Sequence, residues 1–324
     1  LDRLAPGLEP RLLQLQLMTL FVATVIVPPL LSWVAFLVLG ALYTLPHRFR
    51  RLGGTKLQKK HTDEPTTVKK GLLFVTLNSL ASLVLSFALW PVYRVRLHDG
   101  LWPPIWVIAL QLVAFLLIDD LLFYFSHRAL HTRWLYRHVH AWHHRYHAPY
   151  ALLGAVMHPV EYLIISSIVV VTPLLLGMHV GVFWLCVILR QWGNAEFHAG
   201  VEGPWSLLSK LPGAGGVRHH DRHHEKVRGN YSSLFSYLDR WLGTELKEET
   251  STGRQEGRSP AEQTFLGGDD LALALGSTLQ NNQLRRPPSL LSPGGSALAY
   301  GLGKYSSIAR ASGSPGPAVT QPAA

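Results

Sequence analysis

The chain has 324 residues, a formal net charge of +10 and a single cysteine, Cys186. One cysteine excludes an intrachain disulfide and any thiolate-based metal or disulfide framework. The apolar residues gather in long runs, which excludes an ordinary soluble domain and marks an all-α membrane protein.

The first apolar run covers residues 16–45, and Pro28-Pro29 interrupts it, so a kink or broken helix is expected there. A basic stretch follows at 48–70, with Arg48, Arg50, Arg51, Lys56, Lys59, Lys60, Lys69 and Lys70. Nucleic-acid binding accounts poorly for it, because hydrophobic segments flank it and few aromatics interleave it. A cytosolic loop under the positive-inside rule accounts for it better. The second run is 71–93, and the third, 102–125, leads into a first histidine cluster. The fourth (157–177) and fifth (180–197) are separated only by Gly177-Met178-His179, which predicts a hairpin. The fifth is short and carries Arg190 and Glu196, so it is expected to be partly buried in protein. Beyond residue 251 the composition turns to Gly, Ser, Pro and Ala, which predicts a mostly disordered tail with a short helix at LALALGSTL (271–279). The reading is four to five transmembrane helices, with the segments between them that carry the histidines in the cytosol. Its regions are an N-terminal membrane region (1–100), a catalytic region (101–250) and the tail (251–324).

Of 17 histidines, 14 fall between His127 and His224. They cluster as His127-x-x-x-His131, His140-x-x-His143-His144 and His220-x-x-His223-His224. Neutral imidazole is the commonest metal-binding side chain, and a helix puts residues three and four apart on one face. Each cluster can therefore aim several ring nitrogens at one point. Eight nitrogens exceed the needs of one tetrahedral zinc and suit two ions. His138 lies off the face of the second cluster, and His147 extends it just before Ala148-Pro149. Single histidines, His158 and His198, stand where the hairpin meets the cytosolic layer. Asp120, Tyr124, His127 and His131 share one helical face, and a carboxylate at membrane depth marks function by default. Asp120 is expected to accept the free N–H of a metal-bound imidazole. Asp221 is expected to serve as an outer-shell partner or to pair with an arginine. Asp120, Tyr124 and Asp221 are thus the candidate catalytic residues.

The clusters share a site only if they lie on one side of the membrane. A hairpin over 157–197 satisfies that condition, and a hairpin of spans two and three puts the 48–70 loop on the same side. Zinc has no redox chemistry, whereas imidazole also suits iron and copper. This many histidines beside a bilayer fit two non-haem irons that activate O2 against a lipid C–H bond. A His-rich metal transporter is the reading from another class. Its ligands would line several spans, and here they sit at span ends.

DDLLFYFSHRALH, LYRHVHAWHHRYHAPYALLGAVMHPVEYL and GVRHHDRHHEKVRGNYSSLFSYLDRWLGT occur in the order of the fatty acid hydroxylase/sterol desaturase superfamily, which residues 100–245 resemble. His-Ala-Pro (147–149), His-Pro (158–159) and the HHDxHH block most resemble C-4 methylsterol monooxygenases. The resemblance implies a helical membrane hairpin base with a cytosolic helical cap that holds two metals, in a di-iron monooxygenase of the endoplasmic reticulum membrane acting on a sterol. Hydroxylation or desaturation of an acyl or sphingoid chain, or an aldehyde-processing reaction, is the runner-up. It implies His127, His131, His140, His143, His144, His220, His223 and His224 as metal ligands, with His158 and His198 as further ones. It also implies O2 as co-substrate and electrons from NAD(P)H through a reductase and cytochrome b5.

Overall fold

The computed structural model describes residues 8–48, 54–58 and 67–246. The predicted tail and its short helix lie outside these residues. The first apolar run is one helical rod in three pieces: α1 (Leu8–Phe21), a π-helical turn (Val22–Ile26) and α2 (Val27–Arg48). The expected disturbance at Pro28-Pro29 takes the form of that π turn. Prolines have no N–H to donate and crowd the preceding turn, and the Val27 N–H reaches back five residues to the Val22 carbonyl.

Three more helices are long and apolar enough to cross a membrane: α3 (Thr67–Arg96), α4 (Ile105–Leu130) and α6 (Pro159–Leu176). Their outward faces carry Leu77, Leu80, Val84 and Phe87 on α3 and Leu110, Val113 and Leu117 on α4, all exposed. Contiguous apolar surface of that extent suits lipid rather than water. α7 (Val180–Phe197) differs. Val182, Phe183, Cys186, Val187 and Glu196 are buried, and the helix packs along α2. The expectation that this segment is buried in protein holds. Glu196 is tolerated inside because Tyr43, Trp192 and both the backbone and hydroxyl of Ser209 donate to its carboxylate.

α6 and α7 form the predicted hairpin. Gly177 ends α6 in the left-handed conformation (φ 57°), and the Arg96 guanidinium donates to the Leu174 and Leu175 carbonyls. His179 caps α7 by accepting the Gly181 N–H. The hairpin tip meets the α3–α4 turn, where the Val180 N–H donates to the His98 carbonyl (2.8 Å). At the opposite end lie the cap elements: α5 (Arg133–His138), 3-10 turns at His140–Arg145, Ala151–Ala155 and Leu208–Lys210, α8 (Gly216–Lys226) and α9 (Tyr237–Trp241). The 54–58 segment after α2 belongs to this end too. Its strand β1 (Thr55–Lys56) pairs antiparallel with β2 (Val201–Glu202), and Gln58 donates to the His147 carbonyl (2.6 Å). The 54–58 segment and the histidines therefore share one end of the bundle, as the sequence predicts.

Candidate metal centre

Nine imidazoles converge in two groups whose potential ligand atoms lie within 4.8 Å of one another. The first holds His127, His131, His140, His144 and His223, and the second holds His143, His198, His220 and His224. Each His-x-x-His-His cluster is shared between them. His140 and His144 join the first group while His143 joins the second; His220 and His224 join the second while His223 joins the first. In each cluster the i, i+4 pair serves one group and the i+3 residue serves the other. The two groups abut, with the His144 and His224 ring centroids 4.7 Å apart.

The tautomers follow from the partners. Nδ1 of His127, His140 and His223 faces the Tyr231 carbonyl (2.8 Å), the Glu161 carboxylate (2.8 Å) and the Gly229 carbonyl (2.6 Å). Nδ1 of His143, His198 and His224 faces the carbonyls of Val156, Asn194 and Tyr146. A carbonyl only accepts, so Nδ1 of these rings carries the hydrogen and Nε2 is a bare lone pair. In the first group neighbouring Nε2 atoms stand 3.0–3.2 Å apart around His140 and His223. In the second, His198 Nε2 lies 3.0 and 3.2 Å from those of His220 and His143. Lone pairs at that range repel unless a cation stands between them. A metal bound at about 2.0–2.1 Å would space adjacent nitrogens by about 3.0–3.4 Å, so the donor set fits one ion per group. Burial supports this state. It lowers the His143 pKa to about 4 and that of His223 to about 3, and it holds His131, His140, His144, His198, His220 and His224 well below the ordinary value, with neighbouring imidazoles adding to the effect.

The framework behind the rings is built for close approach. Val227 (φ 58°), Gly229 (φ 63°) and Asn230 (φ 52°) put three left-handed residues in the four after α8. This conformation is uncommon for a β-branched valine, and it aims the Gly229 and Tyr231 carbonyls at His223 and His127. Asp239 fixes the same turn. It accepts the backbone N–H of Tyr231 and Ser232, the Thr244 hydroxyl and His219 Nε2. Burial would raise its pKa, but the hydrogen bonds and the His219 charge outweigh it and hold the carboxyl below its usual range. Gly154 lets the 3-10 turn pass His198, since an added Cβ would sit 2.8 Å from that ring's Nδ1.

The other sequence candidates lie elsewhere. Asp120 does not orient an imidazole; its Oδ1 accepts the backbone N–H of Leu234 and Phe235 (2.7 and 3.2 Å). The carboxylate that does orient a ligand is Glu161, on His140. Tyr124 accepts from Arg128 and donates to the Thr244 hydroxyl, away from the ring nitrogens. Asp221 is buried on α8 but belongs to neither group. His158 is outside both; its Nδ1 accepts the Val160 N–H and caps α6. His138 and His147 are exposed, off the groups as well. Glu161 was detectable: it is a carboxylate opening an apolar run, the same signal that singled out Asp120.

A cavity of about 910 Å³, its mouth included, opens between the helices onto His127, His140, His143, His198 and His220. A second cavity shares Ser32, Tyr162, Ser166, Val169, Arg190 and Gln191 with it and reaches Tyr93 and Phe183. On α3 the combined walls run from Val75 to Tyr93, about 27 Å of helix.

The description of the fatty acid hydroxylase family matches residues 112–244. The chain is 35% identical over 253 residues to a very-long-chain aldehyde decarbonylase (GL1-11) of Oryza sativa, covering 76% of this chain and 92% of that protein. It is 34% identical over 215 residues to methylsterol monooxygenase 2-2 of Arabidopsis thaliana (65% and 81%). It is also 38% identical over 162 residues to methylsterol monooxygenase erg25B of Aspergillus fumigatus (48% and 55%). No solved structure matches it. With its histidine pattern folded into two ligand groups and a relative covered over nearly its whole length, the chain belongs to the fatty acid hydroxylase family.

Proposed function

We propose that this protein is a membrane-bound di-iron monooxygenase that oxidises a lipid C–H bond with O2, a methylsterol being the favoured substrate. The observation that supports it best is the cavity: it joins two all-nitrogen ligand groups to an opening between membrane-length helices. His127, His131, His140, His144 and His223 would hold one iron, and His143, His198, His220 and His224 the other. Iron bound there would supply the redox chemistry with O2 that zinc lacks. The chain's own residues do the rest. Carbonyls and Glu161 orient six of the nine rings at Nδ1 and keep their Nε2 basic. The apolar walls exclude water and admit a lipid from the side. Electrons would come from NAD(P)H through cytochrome b5. With the 48–70 loop cytosolic in an endoplasmic reticulum membrane, the histidines would face the cytosol.

A very-long-chain aldehyde is the second reading, favoured by the extent of the match to the rice decarbonylase. A metal transporter is disfavoured because all nine ligands gather at one end of the bundle. Purified full-length protein, supplied with iron, O2 and a reductase system, should convert a methylsterol to a more polar sterol. Turnover of a C26 aldehyde alone would favour the second reading. Turnover of neither, with both irons bound, would reject both.

A further inference from the structure

We infer that Arg190 anchors an oxygen of the lipid substrate, which makes it a specificity-determining residue; this rests on the lipid-oxidation reading above. Arg190 sits on α7 in the wall shared by the two cavities, one of which reaches the histidine groups. Its guanidinium lies over the Phe123 ring, 4.6 Å from the centroid. Only one corner is engaged: Nη1 donates to Asp119 Oδ2 (2.9 Å) and Ser233 Oγ (3.1 Å). Among the described residues no partner meets Nη2 or Nε. Neither of these atoms is fully buried; both are open to the cavity, where they can donate to an acceptor that arrives with the ligand.

A purely structural role would tie α4, α7 and the 233 segment together. That role is met by Nη1 on Asp119 and Ser233, two contacts that a lysine ammonium could also make. The unused part of a planar, always-charged fork is what an oxygen ligand requires. The Phe123 ring beneath Arg190 has its centroid 5.0 Å from that of His127, and Arg190 lines the same cavity as five of the histidines. The anchored oxygen therefore lies near the carbon presented to the histidine groups. The ligand class is a lipid with a hydroxyl, carbonyl or carboxyl oxygen close to its reacting carbon, and the rest of its apolar body extends along the cavity. A hydrocarbon of equal shape would lose the anchor.

The test is equilibrium binding to full-length protein in nanodiscs, with two ligand pairs: a methylsterol against its 3-deoxy analogue, and a C26 aldehyde against the C26 alkane. Wild type should prefer the oxygenated member by about ten- to a hundredfold, the range of one charged hydrogen bond. Arg190→Lys should keep its metal content and lose most of that preference, with KM raised more than kcat falls. Ser233→Ala, which removes only a tie on Nη1, should keep the preference. Equal affinities in wild type would overturn the anchor even if Arg190→Lys failed to fold. A preference retained in Arg190→Lys, or lost equally in Ser233→Ala, would also overturn it. Binding is read without turnover, so a protein that shows the preference but oxidises neither lipid would sink the oxidation reading and leave the anchor standing.

Discussion

Six of the nine converging imidazoles are set by what their Nδ1 touches. Carbonyls on Nδ1 fix the hydrogen there and free Nε2, and Glu161 is the side-chain partner of His140 Nδ1. Glu161→Gln should weaken metal binding by about ten- to a hundredfold, as loss of an outer-shell partner does, measured by competition with a chelator. His198→Ala should cost the ion of the second group, whereas His158→Ala should leave metal content unchanged; metal analysis of the two purified variants separates them. Acid should act on the same rings. In metal-free protein the folded pKa values of His143 (about 4) and His223 (about 3) lie below the ordinary 6.5. Between those values the unfolded chain binds more protons, so stability falls as pH drops from 6.5 toward 4 and is level above it. Thermal melts of chelator-treated protein across that range would show this; a flat profile would contradict it. At this scale the metal-binding residue types were legible, because histidines bunch visibly. Their partners were less so. Asp120 and Glu161 give the same sequence signal, and only the fold shows that one meets backbone N–H groups and the other an imidazole.

At the scale of elements, helical spacing predicts that each cluster points one way, and the folded arrangement is subtler. His140–Arg145 winds as a 3-10 turn rather than an α-helix, and in both three-histidine clusters the i+3 ring crosses to the other group. Spacing identifies the clusters but cannot assign their members, since the split depends on how α8 and the 3-10 turn face each other across the site. The turn after α8 was equally hidden. A valine at φ 58° is not a choice that local preference suggests. Asp239 holds this turn through four donors, so Asp239→Ala should leave buried donors unmatched and destabilise the cap by about 3–5 kcal/mol. That would appear as loss of metal and a lowered melting temperature. Gly154→Ala should displace His198 and deplete the second group selectively, leaving the first loaded.

For the molecule as a whole, topology was the most legible part. Even-numbered crossing between the clusters, the hairpin at 177–179 and the side on which the 54–58 segment lies all follow from run lengths and charge. In the structure the 54–58 segment packs on the histidine end while the His98 and His179 turns meet at the other. The long apolar faces of α3 and α4 could be read as membrane-facing for the same reason. The cavity could not be read, because its walls come from helices distant in sequence. Both ligand groups are complete between residues 127 and 224, so deletion of 252–324 should leave metal content and turnover unchanged in a protein that inserts normally. The central claim is that nine imidazoles form two separate ion sites in one chain. Metal analysis of purified full-length protein tests it most directly: two tightly held irons per chain are expected, falling to one in His198→Ala. One ion per chain in wild type, or an unchanged count in that variant, would contradict it.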